Sequence, residues 1–272
     1  MKNIYITDLD HTFLRNDLSL SDYTKTIWNA KEADAIMGVA TARSFKRAKE
    51  FLAGIRLSAP MILMDGALIA TEEKKIIDTK LLDQEIGDAI IFEGAKFGIY
   101  PFVLSLVDDN LNEAFLHSTL LNEDQKKVIA KYKASDGLEA FDTLRATKQN
   151  LKIVYMGEEQ LLRDLELHLK TIFGESIKYI LAPEAYVGCY FLTLLHKDAD
   201  KAHGILSVQE YCDFELKNLT VFGDNYNDLG MFELAKTAVA MANAQEGVKQ
   251  KATLVLPHTN DEDGVAHYLA SL

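Results

Sequence analysis

Hydrophobic and polar positions along the chain fall into two textures. In the first third, short apolar runs alternate with amphipathic stretches, the pattern of strand–helix units that feed a parallel sheet. "NIYIT" (3–7) predicts a buried strand, and "LSDYTKTIWNAKEA" (20–33) a helix with Ser21 as its N-cap. A second strand is expected over "AIMGVAT" (35–41). A helix should follow over "SFKRAKEFLAGIR" (44–56), where Phe45, Ala48, Phe51, Leu52 and Ile55 recur at helical spacing behind Ser44. "APMILMDGALIAT" (59–71) supplies a further strand and turn.

The texture changes near residue 80. Strand patterns "PFVLSLV", "EAFLHS" and "LKIVYMG" then alternate with helix patterns "LNEDQKKVIAKYK" and "EEQLLRDLELHLKTIF", without carboxylates at the strand ends. The first texture returns with a helix over "KDADKAHGILSVQEYC" (197–212), the strand "LTVFG" (219–223), the helix "DLGMFELAK", the strands "AVAMA" (238–242) and "TLVL" (253–256), and a final helix in "DEDGVAHYLASL". A sheet interrupted and resumed implies an α/β fold. A doubly wound, Rossmann-like parallel-sheet core is expected over 1–82 and 190–272, with a smaller α+β module inserted over 83–189.

Charge narrows the function classes. Lys and Arg total 29 against 41 Asp and Glu, a net −12, so a broad basic face for nucleic acid is not expected and any anionic substrate must be met locally. No apolar run approaches the roughly 20 residues that cross a bilayer, and a cytoplasmic location is expected. Cys189 and Cys212 are too few for a disulfide framework or a cysteine metal site.

In an open parallel sheet the carboxyl ends of the strands form the ligand crevice. Reactive side chains fall there repeatedly: Asp8 and Asp10 after the first strand, Thr41 after the second, Lys201 near a helix start, and Asp224 with Asp228 after "LTVFG". Taken singly, each has a plainer explanation as a cap, a turn or a solvated charge. "GDNYND" fails as a calcium loop because Tyr226 occupies the third ligand position and the glycine and terminal glutamate are out of register.

Taken together and in order, "DLDHT", "VATARS", Lys201 in "DADKAHGI" and "GDNYNDLGMF" resemble the four motifs of the haloacid dehalogenase superfamily of phosphohydrolases. "MDGALIA", "AVAMANA" and "DEDGVAHYL" are similar to its Cof-like branch, whose cap is inserted between the second and third motifs. Two positions depart from the pattern: His11 stands where glycine is commoner and Asp65 where asparagine is usual.

The resemblance implies Mg²⁺-dependent hydrolysis of small phosphate monoesters, with Asp8 as nucleophile, Asp10 as acid and then base, and a cap that closes over the site. It also implies that Asp8, Asp224 and the Asp10 carbonyl hold the metal, while Asp228 orients Lys201 or a metal water. Thr41 and Lys201 contact the phosphoryl group. Arg43, Asn243, Asp65, Gly66 and Asn227 are expected near substrate or phosphate, with a surface role for Arg43 and a turn-capping role for Asn243 as alternatives. His11 is a loop residue within reach of substrate, and "APEAYVGCYF" (182–191) a strand and turn approaching the pocket. With all four aspartates ionised, four negative charges face three positive ones from Mg²⁺ and Lys201, which suits protonation of Asp10.

By the same resemblance, phosphosugars lead as substrates, ahead of phosphorylated cofactors such as pyridoxal phosphate or flavin mononucleotide. A monomer or small homo-oligomer is expected. A phosphomutase or phosphotransferase remains open, as does a non-catalytic phospho-ligand module. A receiver-like signalling domain would not need a hundred residues between its Thr and its Lys.

Overall fold

The computed structural model describes residues 2–132, 137–184 and 187–272. Lys133, at the end of one predicted helix, and Ala185 and Tyr186, within the strand and turn expected over 182–191, lie outside the described residues. The chain divides into two compact units, Met1–Thr79 with Asp200–Leu272, and Lys80–Ala199.

In chain order the first unit begins with β1 (Asn3–Thr7), α1 (Asp22–Glu32), β2 (Ala35–Val39) and α2 (Phe45–Phe51). Ser21 and Ser44 cap the two helices as expected, accepting from the N–H groups of Thr24 and Arg47. α2 stops five residues short of its predicted end, at a turn where Gly54 takes a φ of 85°. The segment read as one strand and a turn (59–71) holds two antiparallel strands, β3 (Met61–Leu63) and β4 (Leu68–Ala70), and β5 (Ile76–Thr79), which follows it, completes their sheet.

The second unit contains α3 (Gln84–Lys96), β6 (Phe102–Leu106), β7 (Glu113–Ser118), α4 (Glu123–Tyr132), β8 (Leu138–Phe141), β9 (Asn150–Gly157), α5 (Glu159–Phe173), β10 (Ile177–Glu184) and β11 (Cys189–His196). Its sheet runs β10-β11-β9-β6-β7-β8, antiparallel except for β7 with β8. Because β11 pairs with β9, the unit ends at residue 199, ten residues beyond the end expected at 189. Its start lies before 83 because the Leu82 N–H bonds the Asn150 carbonyl at 2.9 Å. Leu162, Leu165 and Leu169 of α5 join Ile90 and Ile91 of α3 in its core.

The chain then returns to the first unit with α6 (Lys201–Cys212), β12 (Leu219–Gly223), α7 (Leu229–Leu234), β13 (Thr237–Ala240), α8 (Glu246–Lys249), β14 (Leu254–Val255) and α9 (Gly264–Ala270). The resulting sheet is wholly parallel in the order β14-β13-β12-β1-β2. β12 is buried at every position and β1 at all but its first, which is why both read as continuous apolar runs instead of alternating ones. Among the described residues, no helix is long and apolar enough to cross a membrane.

α3 was not predicted, since Gly87 and Gly94 weaken its helical signal. Gly94 is required by packing: a Cβ there would lie 2.1 Å from the hydroxyl oxygen of the buried Tyr155, which donates to the Ile90 carbonyl at 2.7 Å. Gly94→Ala is therefore expected to destabilise the protein by about 1–3 kcal/mol. Denaturant unfolding followed on the second unit's signal checks this, and an unchanged midpoint would show that Tyr155 has room to move.

Candidate active site

The strand order reverses direction between β1 and β12. β2 follows β1 on one side, while β12, β13 and β14 extend on the other. That reversal opens a crevice at the carboxyl ends of the two central strands. Asp8 follows β1 and Asp224 follows β12, so the topology itself brings residues 216 positions apart to one place.

Lys201, the first residue of α6, is 1% exposed and lies within this crevice. Its Nζ donates to Asp8 Oδ1 and to Asp228 Oδ1, each at 2.6 Å. Burial alone would lower the lysine pKa, but Asp228 and Asp8 outweigh it and hold the ammonium charged. The second Asp228 oxygen accepts from the N–H groups of Asp224 and Asn225 at 2.9 and 3.0 Å. Asp228 is thus committed to the lysine and to its own loop.

Ligand oxygens of Asp8, Asp224 and Asp228 lie within 4.8 Å of one another. Asp224 also accepts from the Thr12 hydroxyl at 2.9 Å. Burial, with the Asp228 charge, pushes Asp224 up to about 7 despite that bond. Burial likewise raises Asp8; Lys201 opposes the rise and the neighbouring carboxylates add to it. An all-oxygen donor set carrying excess negative charge has the chemistry of a hard-cation site.

Asp10 departs from expectation. Its two oxygens accept from Arg43, Oδ2 from Nε at 2.9 Å and Oδ1 from a terminal nitrogen at 2.6 Å. Burial would raise Asp10, but these charge-assisted bonds override it and the pKa is lowered. The sequence-based tally had left out Arg43, whose charge balances the count without a proton on Asp10. Arg43 is therefore a member of the cluster rather than a surface charge.

Thr41 is fully buried, and its hydroxyl accepts from the Arg43 N–H at 3.1 Å, leaving its own proton to donate. The Thr41 carbonyl accepts from the Asp65 N–H at 3.0 Å, and Asp65 Oδ1 accepts from Asn227 at 3.1 Å. Gly66 follows with a φ of 90°, and a Cβ there would meet the Asp200 carbonyl oxygen at 2.0 Å. Asp65, Gly66 and Asn227 thus line up beside the N-terminus of α6. Asn243 is placed differently: its amide donates to the His11 carbonyl at 2.8 Å and its oxygen accepts from the Asn260 N–H at 3.0 Å, so both ends of its side chain bond backbone groups.

Sequence reasoning overlooked Thr12 and Asn260. Thr12 sits inside the "DLDHT" motif, and its hydroxyl type was the available signal. Asn260 had none, because its bonds reach back 244 and 246 positions to Asn16 and Leu14.

The family model for haloacid dehalogenase-like hydrolases matches residues 5–269. The chain is 28% identical over its full length to a 5-amino-6-(5-phospho-D-ribitylamino)uracil phosphatase of Bacillus subtilis, YwtE, covering 98% of that protein. A second phosphatase of the same name from that organism, YitU, is 24% identical over 96% of this chain and 94% of its own. Among solved structures, a haloacid dehalogenase-like hydrolase from Bacteroides thetaiotaomicron superposes with a TM-score of 0.82 at 22% identity, covering 100% and 99% of the two chains. With four motifs in order, a carboxylate–lysine cluster at the sheet's reversal point and a family match over nearly its whole length, this chain belongs to the haloacid dehalogenase-like hydrolases.

Proposed function

We propose that this protein is a Mg²⁺-dependent phosphatase of small phosphate monoesters, acting through an aspartyl-phosphate on Asp8. The observation that carries this reading is the buried Lys201 bridging Asp8 and Asp228 while Asp224 stands within 4.8 Å. Phosphoryl transfer needs little else than such positioning and charge neutralisation. Phosphorylated sugars or sugar alcohols are the proposed substrate class, supported by the two relatives named for a phosphoribityl compound.

Asp8 and Asp224, with the Asp10 carbonyl, would hold the metal. Once bound, Mg²⁺ neutralises phosphoryl oxygens and draws charge from phosphorus. In the first step an Asp8 oxygen bonds to phosphorus and the ester P–O bond breaks. The leaving oxygen takes a proton from Asp10. Water then attacks the same phosphorus and gives its proton to Asp10, and the bond to Asp8 breaks to release phosphate. Lys201 holds the Asp8 carboxylate in place, and the Thr41 hydroxyl donates to a phosphoryl oxygen. Arg43 must loosen its hold before Asp10 can carry a proton, and a phosphate dianion is a competing partner for that guanidinium.

A phosphate-release screen over phosphosugars, phosphorylated sugar alcohols, nucleotides and cofactor phosphates tests the reading, with Asp8→Asn alongside. The variant is expected to lose on the order of 10³-fold or more in kcat. Its fold should stay intact, since the asparagine side-chain oxygen can still accept from Lys201. Substantial residual turnover would remove Asp8 as nucleophile, and an isomeric phosphosugar without free phosphate would replace hydrolysis by transfer.

Metal dependence has its own check. Chelation is expected to abolish turnover and added Mg²⁺ to restore it. In wild type, Mg²⁺ at about 100 times its Kd should stabilise the fold by about 2.7 kcal/mol. Asp224→Asn should lose most of that gain; an equal gain in both proteins would show that the ion binds elsewhere.

A further inference from the structure

The turn that follows Asp8 is held from behind by asparagines. Residues Leu9–Phe13 form a single irregular turn in which Asp10 is extended and His11 is left-handed, with φ 55° and ψ 10°. A left-handed residue other than glycine costs about 1 kcal/mol or more and persists only where its surroundings fix it. Asn243 donates to the His11 carbonyl at 2.8 Å. The His11 ring meets Asn16 Oδ1 at 3.0 Å, which places a proton on Nδ1.

Asn260, 2% exposed, ties these contacts together. Its side-chain amide donates to the Leu14 carbonyl at 3.0 Å and to Asn16 Oδ1 at 3.1 Å, while its N–H donates to Asn243 Oδ1 at 3.0 Å. Asp261 accepts from the Asn16 N–H at 2.8 Å. On its other side the same turn presents Asp10 to Arg43 and the Thr12 hydroxyl to Asp224.

We propose that Asn243, Asn260 and Asn16 are positioning residues that hold the His11 backbone left-handed and thereby fix where Asp10 stands relative to Asp8. The residue type suits the task. Each asparagine offers a donor and an acceptor without charge, whereas an acid would add to the surplus negative charge of the cluster and a base would compete for its carboxylates. The consequence for rate rests on the proposed role of Asp10 as the acid that protonates the leaving oxygen.

Asn243→Ala tests this at an exposed position, and Asn243→Gln restores an amide on a longer arm. Two readouts are taken: the ratio of kcat for an alkyl phosphate to kcat for p-nitrophenyl phosphate, whose leaving group needs no proton, and hydrogen exchange at the Leu14 amide, which closes the turn onto the Leu9 carbonyl at 2.8 Å. Asn243→Ala is expected to lower the ratio by about tenfold, a part of the roughly 10²–10⁴-fold that a placed acid contributes, with KM nearly unchanged. It should also speed exchange at Leu14 but not along β1, and Asn243→Gln should recover part of both.

A wild-type ratio in Asn243→Ala overturns the proposal, whatever the exchange shows. If wild-type protein releases phosphate from no ester, the functional reading fails separately. The clamp is then decided by exchange alone: faster exchange confined to residues 9–14 upholds it and unchanged exchange overturns it. Should Asn243→Ala not fold, Asn16→Ala is read in the same way.

Discussion

One buried ammonium organises the catalytic half of this protein. A lysine that is almost fully enclosed cannot stay charged unless anions surround it, because an isolated charge in the interior costs several kcal/mol. Lys201 meets that condition through Asp8 and Asp228, which lie 193 and 27 positions away in the chain. Satisfying both bonds requires the end of β1, the start of α6 and the loop after β12 to converge. The parallel pairing of β1 with β12 achieves this. Gly223 completes the arrangement, since a Cβ there would lie 2.5 Å from Asp228 Oδ2. A constraint of stability is thereby turned into the fixed geometry that phosphoryl transfer needs.

Pairing alone does not neutralise the site. Lys201 answers two carboxylates and Arg43 answers a third, while Asp224 accepts from the neutral Thr12 hydroxyl. The raised pKa values of Asp8 and Asp224 express that imbalance: burial and mutual repulsion both work against their ionised forms. A divalent cation, as proposed, would relieve the imbalance where these two groups face each other, and Asp10, already matched by Arg43, would take no part in it through its side chain.

The sequence reveals those parts of the site that local pattern encodes. Asp8, Thr41 and Asp224 were found because each ends an apolar strand run, and Lys201 because it stands near a helix start in "DADKAHGI", where it resembles the third family motif; the structure adds Asp200 as the cap of that helix. Partners were harder. The Arg43–Asp10 bond spans 33 positions and the Thr12–Asp224 bond 212, and no periodicity marks either. In the second unit, the mostly half-buried residues of β10 gave no clean alternation, and the glycines of α3 masked a helix that packing demands. The later-than-expected unit boundary has the same origin, since only the pairing of β11 with β9 assigns that strand to its sheet.

Two strained turns frame the carboxylates. His11 is left-handed in one; Met64 and Asp65 are left-handed in the other, with φ of 51° and 56°. Both turns are fixed by neutral partners: Asn243 and Asn16 act on His11, and Asn227 bonds Asp65, whose N–H also donates to the Thr41 carbonyl. Charged partners would pull the turns toward the cluster's own ions and make their shape depend on whatever is bound. Neutral amides keep the backbone in place while the charge at the centre changes, as it must when a phosphate arrives, transfers and leaves. The division follows from electrostatics: charge is concentrated on the side chains that face the reaction, and the groups that touch the His11 and Asp65 turns directly from behind are neutral amides, with the Asp261 carboxylate one step further back on Asn16.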